Sequence, residues 1–436
     1  MVYCYGNIQL LKDRGLSMTT YNFDKITNRK GTNCLKYDFA VERGKPADVL
    51  PLWVADMDFP VSEEITKSLH AAVEHGIYGY TQPKDAYYNA VMNWMERNHN
   101  WKTEREWIVK TPGVVFALGA AVKAFTDPGD AILIQNPVYY PFTNIIRDND
   151  RRVVDNTLVY YPVTERTVVS ATTDDASEQQ IHNVGTVSPA YQIDFEDFER
   201  KIEQEHVKLF ILCNPHNPVG RVWTVEELQK LGEICLRHHV IVVSDEIHND
   251  FVYPGYEHTV FATVDPRFAE FTVTCTAPSK TFNLAGLQIS NIFIPNEKLR
   301  KAFQTEIDKT GYDEPNALGI VACEAAYRAG EDWLDQLRAY LLKNLNFLRN
   351  FLQEKIPQIH LVEPEGTYLV WLDCSELGIT GKELDQFIVD KAGLWLDGGS
   401  MFGPSGAAFQ RVNIACPQAT LELALNKLKA AVDNLK

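Results

Sequence analysis

The chain has 436 residues, 45% of them hydrophobic and 23% charged, and a formal net charge of −16 at pH 7. That length exceeds what one hydrophobic core usually organises, so more than one domain is expected. The acidity argues against nucleic acid or an anionic membrane surface as a general partner, because both require clustered Lys and Arg. No apolar run reaches the roughly 18 residues that span a bilayer. Eight scattered cysteines (Cys4, Cys34, Cys213, Cys235, Cys275, Cys323, Cys374, Cys416) contain no CxxC pair, which fits reduced thiols in a cytoplasm.

The opening MVYCYGNIQLLKDRG lacks the charged, apolar and small-residue order of a secretory signal. Met18 is a second candidate start, which would make residues 1–17 an extension or a start-site error. No period of roughly 20 to 50 residues recurs, so solenoids and propellers are not expected. Thr111-Pro112-Gly113-Val114-Val115 leads into a helical run from Phe116 to Phe125. The backbone donors at such a helix start suit phosphate.

Short β-branched runs at Ala131 to Ile134, Val207 to Cys213, Val240 to Ser244, Phe271 to Cys275 and Ile289 to Ile294 read as strands. Between two of them, Thr224 to His239 has helical spacing, and Thr224 with Glu227 three residues on forms a capping-box pattern. The expected fold class is therefore α/β: a largely parallel central sheet covered by helices, with its ligand at the carboxyl ends of the strands. Glu165 to Pro189, rich in Thr, Ser, Asp and Gln, reads as an exposed loop without chemistry.

From Leu318 the pattern changes to long helical stretches through Phe351, followed by strand-like pieces at Tyr368 to Leu372, Leu394 to Leu396 and Arg411 to Ala415. These predict a smaller α+β domain. The expected division is 1–70 as an N-terminal segment packing with the small domain, 71–310 as the large domain and 311–436 as the small domain.

Four places at predicted strand ends could carry chemistry. Lys280, in TAPSKTFNLAGL, is surrounded by small and apolar residues; poor solvation would lower its pKa and free a neutral amine for Schiff-base formation. Asp245, in SDEIH, closes an apolar run and could pair with a protonated ring nitrogen. Asn217, in CNPHNPVG, could turn its amide toward a ligand oxygen, and Arg411, in QRVNI, could grip a carboxylate through two parallel bonds. Taken singly, each has an ordinary reading: a solvated lysine, a helix cap, a turn residue and a structural salt bridge.

The order and spacing of these motifs resemble pyridoxal-phosphate (PLP) enzymes of fold type I. LPLWVADMDFP, GIYGYT, NPVYYPF, CNPHNPVG, SDEIHND and APSKTFNLAGLQ together resemble the MalY/PatB group of cystathionine β-lyases, also called carbon–sulfur lyases. The resemblance implies that Lys280 carries the cofactor, Asp245 pairs with its ring nitrogen, Asn217 bonds its phenolic oxygen and Tyr139 stacks on the ring. It further implies that Gly113, Val114, Val115 and Ser279 hold the phosphate. Tyr80 would reach that phosphate from the neighbouring subunit of a homodimer, and Arg411 would grip the substrate carboxylate. His248 stands where many aminotransferases have a tyrosine near the cofactor, and Gln288 where they often have a phosphate-binding arginine. Residues 165–189 are longer than that region usually is in the family.

The implied reaction is β-elimination on cystathionine or a related cysteine conjugate. Lys280 takes the α-proton, a thiolate leaves the β-carbon, and the aminoacrylate left behind is hydrolysed by water to pyruvate and ammonia, with homocysteine as the thiol from cystathionine. Two alternatives use the same residues: a PLP-dependent aminotransferase, and a regulatory binding protein that keeps the enzyme fold. A metal site at Asp245, Glu246 and His248 is disfavoured, since adjacent strand residues point to opposite faces. HExxH, GxGxxG, P-loop and GxSxG patterns are absent.

Overall fold

The computed structural model describes residues 19–162 and 190–435. Met18, residues 1–17 and Glu165 to Pro189 lie outside the described residues. At the centre is a seven-stranded sheet: β1 (Ile108–Thr111), β2 (Ala131–Ile134), β3 (Arg152–Asp155), β4 (Leu209–Cys213), β5 (Ile241–Asp245), β6 (Thr272–Thr276) and β7 (Ser290–Phe293), in the order β1-β7-β6-β5-β4-β2-β3. The pairs from β6 across to β3 are parallel, and β7 runs antiparallel to both of its neighbours. The Ile289 to Ile294 run, read from sequence as one more member of a largely parallel set, is thus the reversed strand.

The central strand β4 is apolar on both faces because helices cover both. Phe210, Leu212 and Val242 pack in one layer with Leu228, Leu231 and Cys235 of the helix Val225–Arg237. The alternate residues Leu209, Ile211 and Val243 pack in the other, with Ala117, Leu118 and Ala121 of the helix Val114–Phe125. This alternation follows from the two-residue period of a strand. The capping box at the start of Val225–Arg237 is formed: Glu227 N donates to Thr224 Oγ1 at 3.2 Å, and Thr224 N to Glu227 Oε2 at 2.9 Å.

Toward the C-terminus, the helical stretch divides into Ala317–Ala329 and Glu331–Lys355. It breaks at Gly330, where a Cβ would stand 2.4 Å from the Phe282 ring. A four-stranded antiparallel sheet is built from His360–Val362, Leu369–Asp373, Phe409–Asn413 and Asp397–Gly398, in that order across the sheet. Leu50–Pro51 pairs in parallel with Leu394–Trp395, and Trp53 stacks on Trp395 with centroids 4.4 Å apart. Residues 50–53 thereby pack against residues 394–395. No helix among the described residues is long and apolar enough to cross a membrane.

Candidate active site

Sheet register decides where the chemistry collects. Cys213 lies opposite Asp245 and Asp245 opposite Cys275, so β4, β5 and β6 end level with one another. The segments that follow, 214–220, 246–250 and 277–283, emerge side by side at the carboxyl edge. A cavity of about 180 Å³, partly open to solvent, lies there.

Lys280, Ser279, Asp245, His248 and Asn217 all line this cavity, as do Tyr139 and the Gly113-Val114-Val115 start of the helix Val114–Phe125. In that helix Ala117 N bonds Gly113 O at 3.1 Å, which leaves the earlier backbone N–H groups without helical acceptors at the cavity wall. A Cβ on Gly113 would meet no atom within 4 Å.

Lys280 sits on a four-residue helix, Pro278–Thr281, and donates from Nζ to the Ala55 carbonyl at 2.7 Å. Burial and the nearby Arg411 guanidinium lower its pKa to about 8, although Asp56 and Asp245 pull the other way. Asp245 is buried and accepts one bond, from Ile247 N at 3.2 Å. Desolvation raises its carboxyl to about 7 against the opposing effects of that bond and of Lys280. Among the described residues no Lys, Arg or His side chain forms an ion pair with it. The adjacent Glu246 diverges, accepting from Ser244 Oγ at 2.8 Å, Phe261 N at 3.0 Å and His258 Nε2 at 3.1 Å.

His248 is held neutral by burial and by the cations of Lys280 and Arg411, its pKa well below the ordinary imidazole value. Its Nδ1 is buried without a hydrogen-bond partner among the described residues, and its ring meets Tyr368 edge-on at 5.8 Å. The Tyr139 hydroxyl is likewise pushed up by burial.

Asn217 is fixed by a braced loop. The Asn214–Pro215 and Asn217–Pro218 peptide bonds are cis, and His216 N bonds Arg221 O at 2.8 Å. Arg221, itself buried, joins Glu365 at 2.9 Å and Glu227 at 2.8 Å. Gly220 has φ 75°, and a Cβ there would stand 2.8 Å from Pro364 Cβ, so both conformation and space demand glycine.

Arg411 lies one layer behind Asn217. Its Nη1 donates to Asn217 Oδ1 at 3.0 Å and its Nη2 to Trp53 O at 3.0 Å. Arg411 is also buried in an ion pair with Asp397, while its Nε has no acceptor among the described residues. The structural salt bridge weighed from sequence therefore coexists with a position beside the cavity. Tyr80 is not brought to the cavity: it is 96% exposed on the surface of the single chain.

Sequence reasoning missed the acceptor of Lys280, although Ala55 lies within the LPLWVADMDFP motif. Tyr368, whose hydroxyl also donates to the Ala55 carbonyl at 3.1 Å, and Asp397 were missed as well. A backbone acceptor leaves no residue-type signal, and a buried tyrosine just before an apolar strand reads as core.

A family model for aminotransferase class I and II matches residues 47–428. Cystathionine beta-lyase PatB of Bacillus subtilis (strain 168) is 44% identical over 411 residues, covering 94% of this chain and all of that protein. Among solved structures, cystalysin from Treponema denticola, which contains a pyridoxal 5'-phosphate cofactor, superposes with TM-score 0.87 at 36% identity, covering 96% of this chain and 100% of the other. The PLP-bound C-S lyase from Staphylococcus hominis gives TM-score 0.84 at 33% identity, covering 95% and 98%. The chain belongs to the aminotransferase class I and II family.

Proposed function

We propose that this protein is a pyridoxal-phosphate-dependent carbon–sulfur β-lyase acting on cystathionine or related cysteine S-conjugates. The observation that carries the reading is Lys280, an amine with pKa about 8, and Asp245, a carboxylate with no ion-pair partner among the described residues, both lining one cavity at the carboxyl edge of the sheet.

The residues fit the cofactor. Asp245 is a desolvated acceptor suited to a cationic ring N–H, and a helix start with free N–H groups suits the phosphate. Gly113, Val114, Val115 and Ser279 would hold that phosphate, Asn217 and His248 would border the ring, Tyr139 would cover a face, and Lys280 would make the covalent link. When bound, the cofactor supplies an electron sink that stabilises negative charge on the substrate α-carbon.

The chain's own groups do the rest. Lys280 Nζ, neutral in substantial part near pH 8, accepts the α-proton. Asp245 would hold a carboxylate against the cofactor's ring nitrogen, whose positive charge would favour the ionised form. Arg411, steadied by Asp397 and carrying a buried Nε–H without acceptor, supplies the cation for the substrate carboxylate. The β-thiolate leaves with the Cβ–S electron pair and takes up a proton to become the free thiol, and water hydrolyses the remaining aminoacrylate to pyruvate and ammonia.

A homodimer completes the reading: Tyr80, together with the exposed Ile77 and Tyr78, would face the partner's cavity, and the enzyme would work in the cytoplasm. Purified protein is expected to release pyruvate and thiol from cystathionine without a keto-acid acceptor. Strict dependence on such an acceptor would establish the aminotransferase instead.

A further inference from the structure

A second carboxylate, Asp250, is buried behind the cavity and takes no part in the chemistry above. Its Oδ1 accepts from Trp94 Nε1 at 3.2 Å and from His99 Nε2 at 3.0 Å. Its Oδ2 accepts from Thr281 Oγ1 at 2.6 Å. Arg338 Nε donates to the Asp250 carbonyl at 2.7 Å. Burial would raise this carboxyl, but His99, Arg338 and Thr281 outweigh it and hold its pKa below the ordinary value.

Thr281 directly follows Lys280 and ends the single helical turn that carries it. One turn cannot hold itself together in isolation, so its geometry depends on what grips it. On the far side the grip is Asn283, which accepts from Met57 N at 3.0 Å and donates to Met57 O at 3.0 Å and Phe59 O at 3.1 Å. On the near side it is the Thr281 hydroxyl bond to Asp250.

Asp250 also ends the segment that begins at Asp245. That segment is tightened by Asn249 N to Glu246 O at 3.1 Å and Phe251 N to His248 O at 2.9 Å. One buried network therefore sets where the lysine amine stands relative to the Asp245 carboxylate.

We propose that Asp250, braced by His99 and Trp94, is a positioning residue that fixes the reach of Lys280 through the Thr281 hydroxyl. The proposal rests on Lys280 being the cofactor-bearing lysine. A merely structural role would cost stability and nothing else. Displacement of a reacting group by about an ångström costs roughly 100-fold in rate.

The test uses the holoenzyme and compares Thr281→Val with Thr281→Ser and with Thr272→Val. Thr272 donates to Phe268 O at 2.6 Å from the far end of β6, so its loss removes an equally buried hydroxyl bond away from the site. For cystathionine, Thr281→Val is expected to lower kcat by about 100-fold with KM changed little, because Arg411 is untouched. It should also change the visible circular dichroism per bound cofactor. Thr281→Ser should restore both, and Thr272→Val should lower only the thermal midpoint.

Thr281→Val with wild-type kcat and dichroism overturns the proposal. If that variant does not fold, His99→Phe, which keeps the Thr281 bond but removes one brace, is read the same way, and unchanged dichroism and kcat again overturn it. Wild-type protein that takes up no pyridoxal phosphate refutes the cofactor assignment and this proposal together, whereas normal uptake with an indifferent Thr281→Val refutes this proposal alone.

Discussion

Replacing Lys280 with Met should stabilise the cofactor-free protein while removing its activity. Burial first, and Arg411 second, bring the Lys280 pKa from its ordinary 10.5 to about 8. At about 1.4 kcal/mol for each pH unit between those values, holding the charged amine in the folded state costs roughly 3 kcal/mol near neutral pH. The Ala55 hydrogen bond returns about 1 kcal/mol, so Lys280→Met is expected to gain about 2 kcal/mol.

The sign with pH follows from linkage. The folded amine loses its proton near pH 8 and the unfolded one near 10.5, so between those values the unfolded state binds more protons and wild-type stability rises with pH. Methionine has no such dependence, and the gap should shrink by about 2 kcal/mol between roughly pH 7.5 and 9.5. Urea unfolding of both cofactor-free proteins at the two pH values measures this directly. A variant no more stable than wild type at the lower pH, or a gap that ignores pH, would refute the claim that Lys280 is held desolvated.

Other substitutions probe the remaining groups. Asp245→Asn removes the one acidic side chain that lines the cavity among the described residues and should lower kcat by about 100-fold or more, with the fold intact by circular dichroism. Arg411→Gln should raise KM by roughly 100-fold, and because it leaves Asp397 buried and unpaired it should also destabilise the chain by about 3 kcal/mol in denaturant titrations. Gly220→Ala forces a side chain into a positive-φ position 2.8 Å from Pro364 Cβ, so a loss of about 1–3 kcal/mol is expected, with weakened cofactor binding through Asn217.

Much of the sheet was legible because its strands are buried on both faces and so read as short β-branched runs: Ala131–Ile134 appears at its predicted bounds and β4 to β6 within two residues. Strands β1 and β3 were not foreseen; Arg152–Asp155 lies at the sheet edge, where only Val154 is fully buried and the charged ends Arg152 and Asp155 dilute the apolar signal. The reversal of β7 was hidden because hydrophobic pattern carries no strand direction. At the site, Lys280, Asp245, Asn217 and the Gly113 turn were legible because each follows a readable strand or precedes a readable helix. The ion pair of Arg411 with Asp397, and the Asp250 contacts with His99 and Thr281, span long sequence separations that pattern alone cannot join.

The central claim is that the ε-amine of Lys280 bonds covalently to pyridoxal phosphate. Wild-type protein loaded with the cofactor, reduced with borohydride and digested should carry the reduced adduct on the peptide that contains Lys280, and Lys280→Ala should carry none. An unmodified Lys280 peptide, or an adduct fixed on another lysine, would contradict the account.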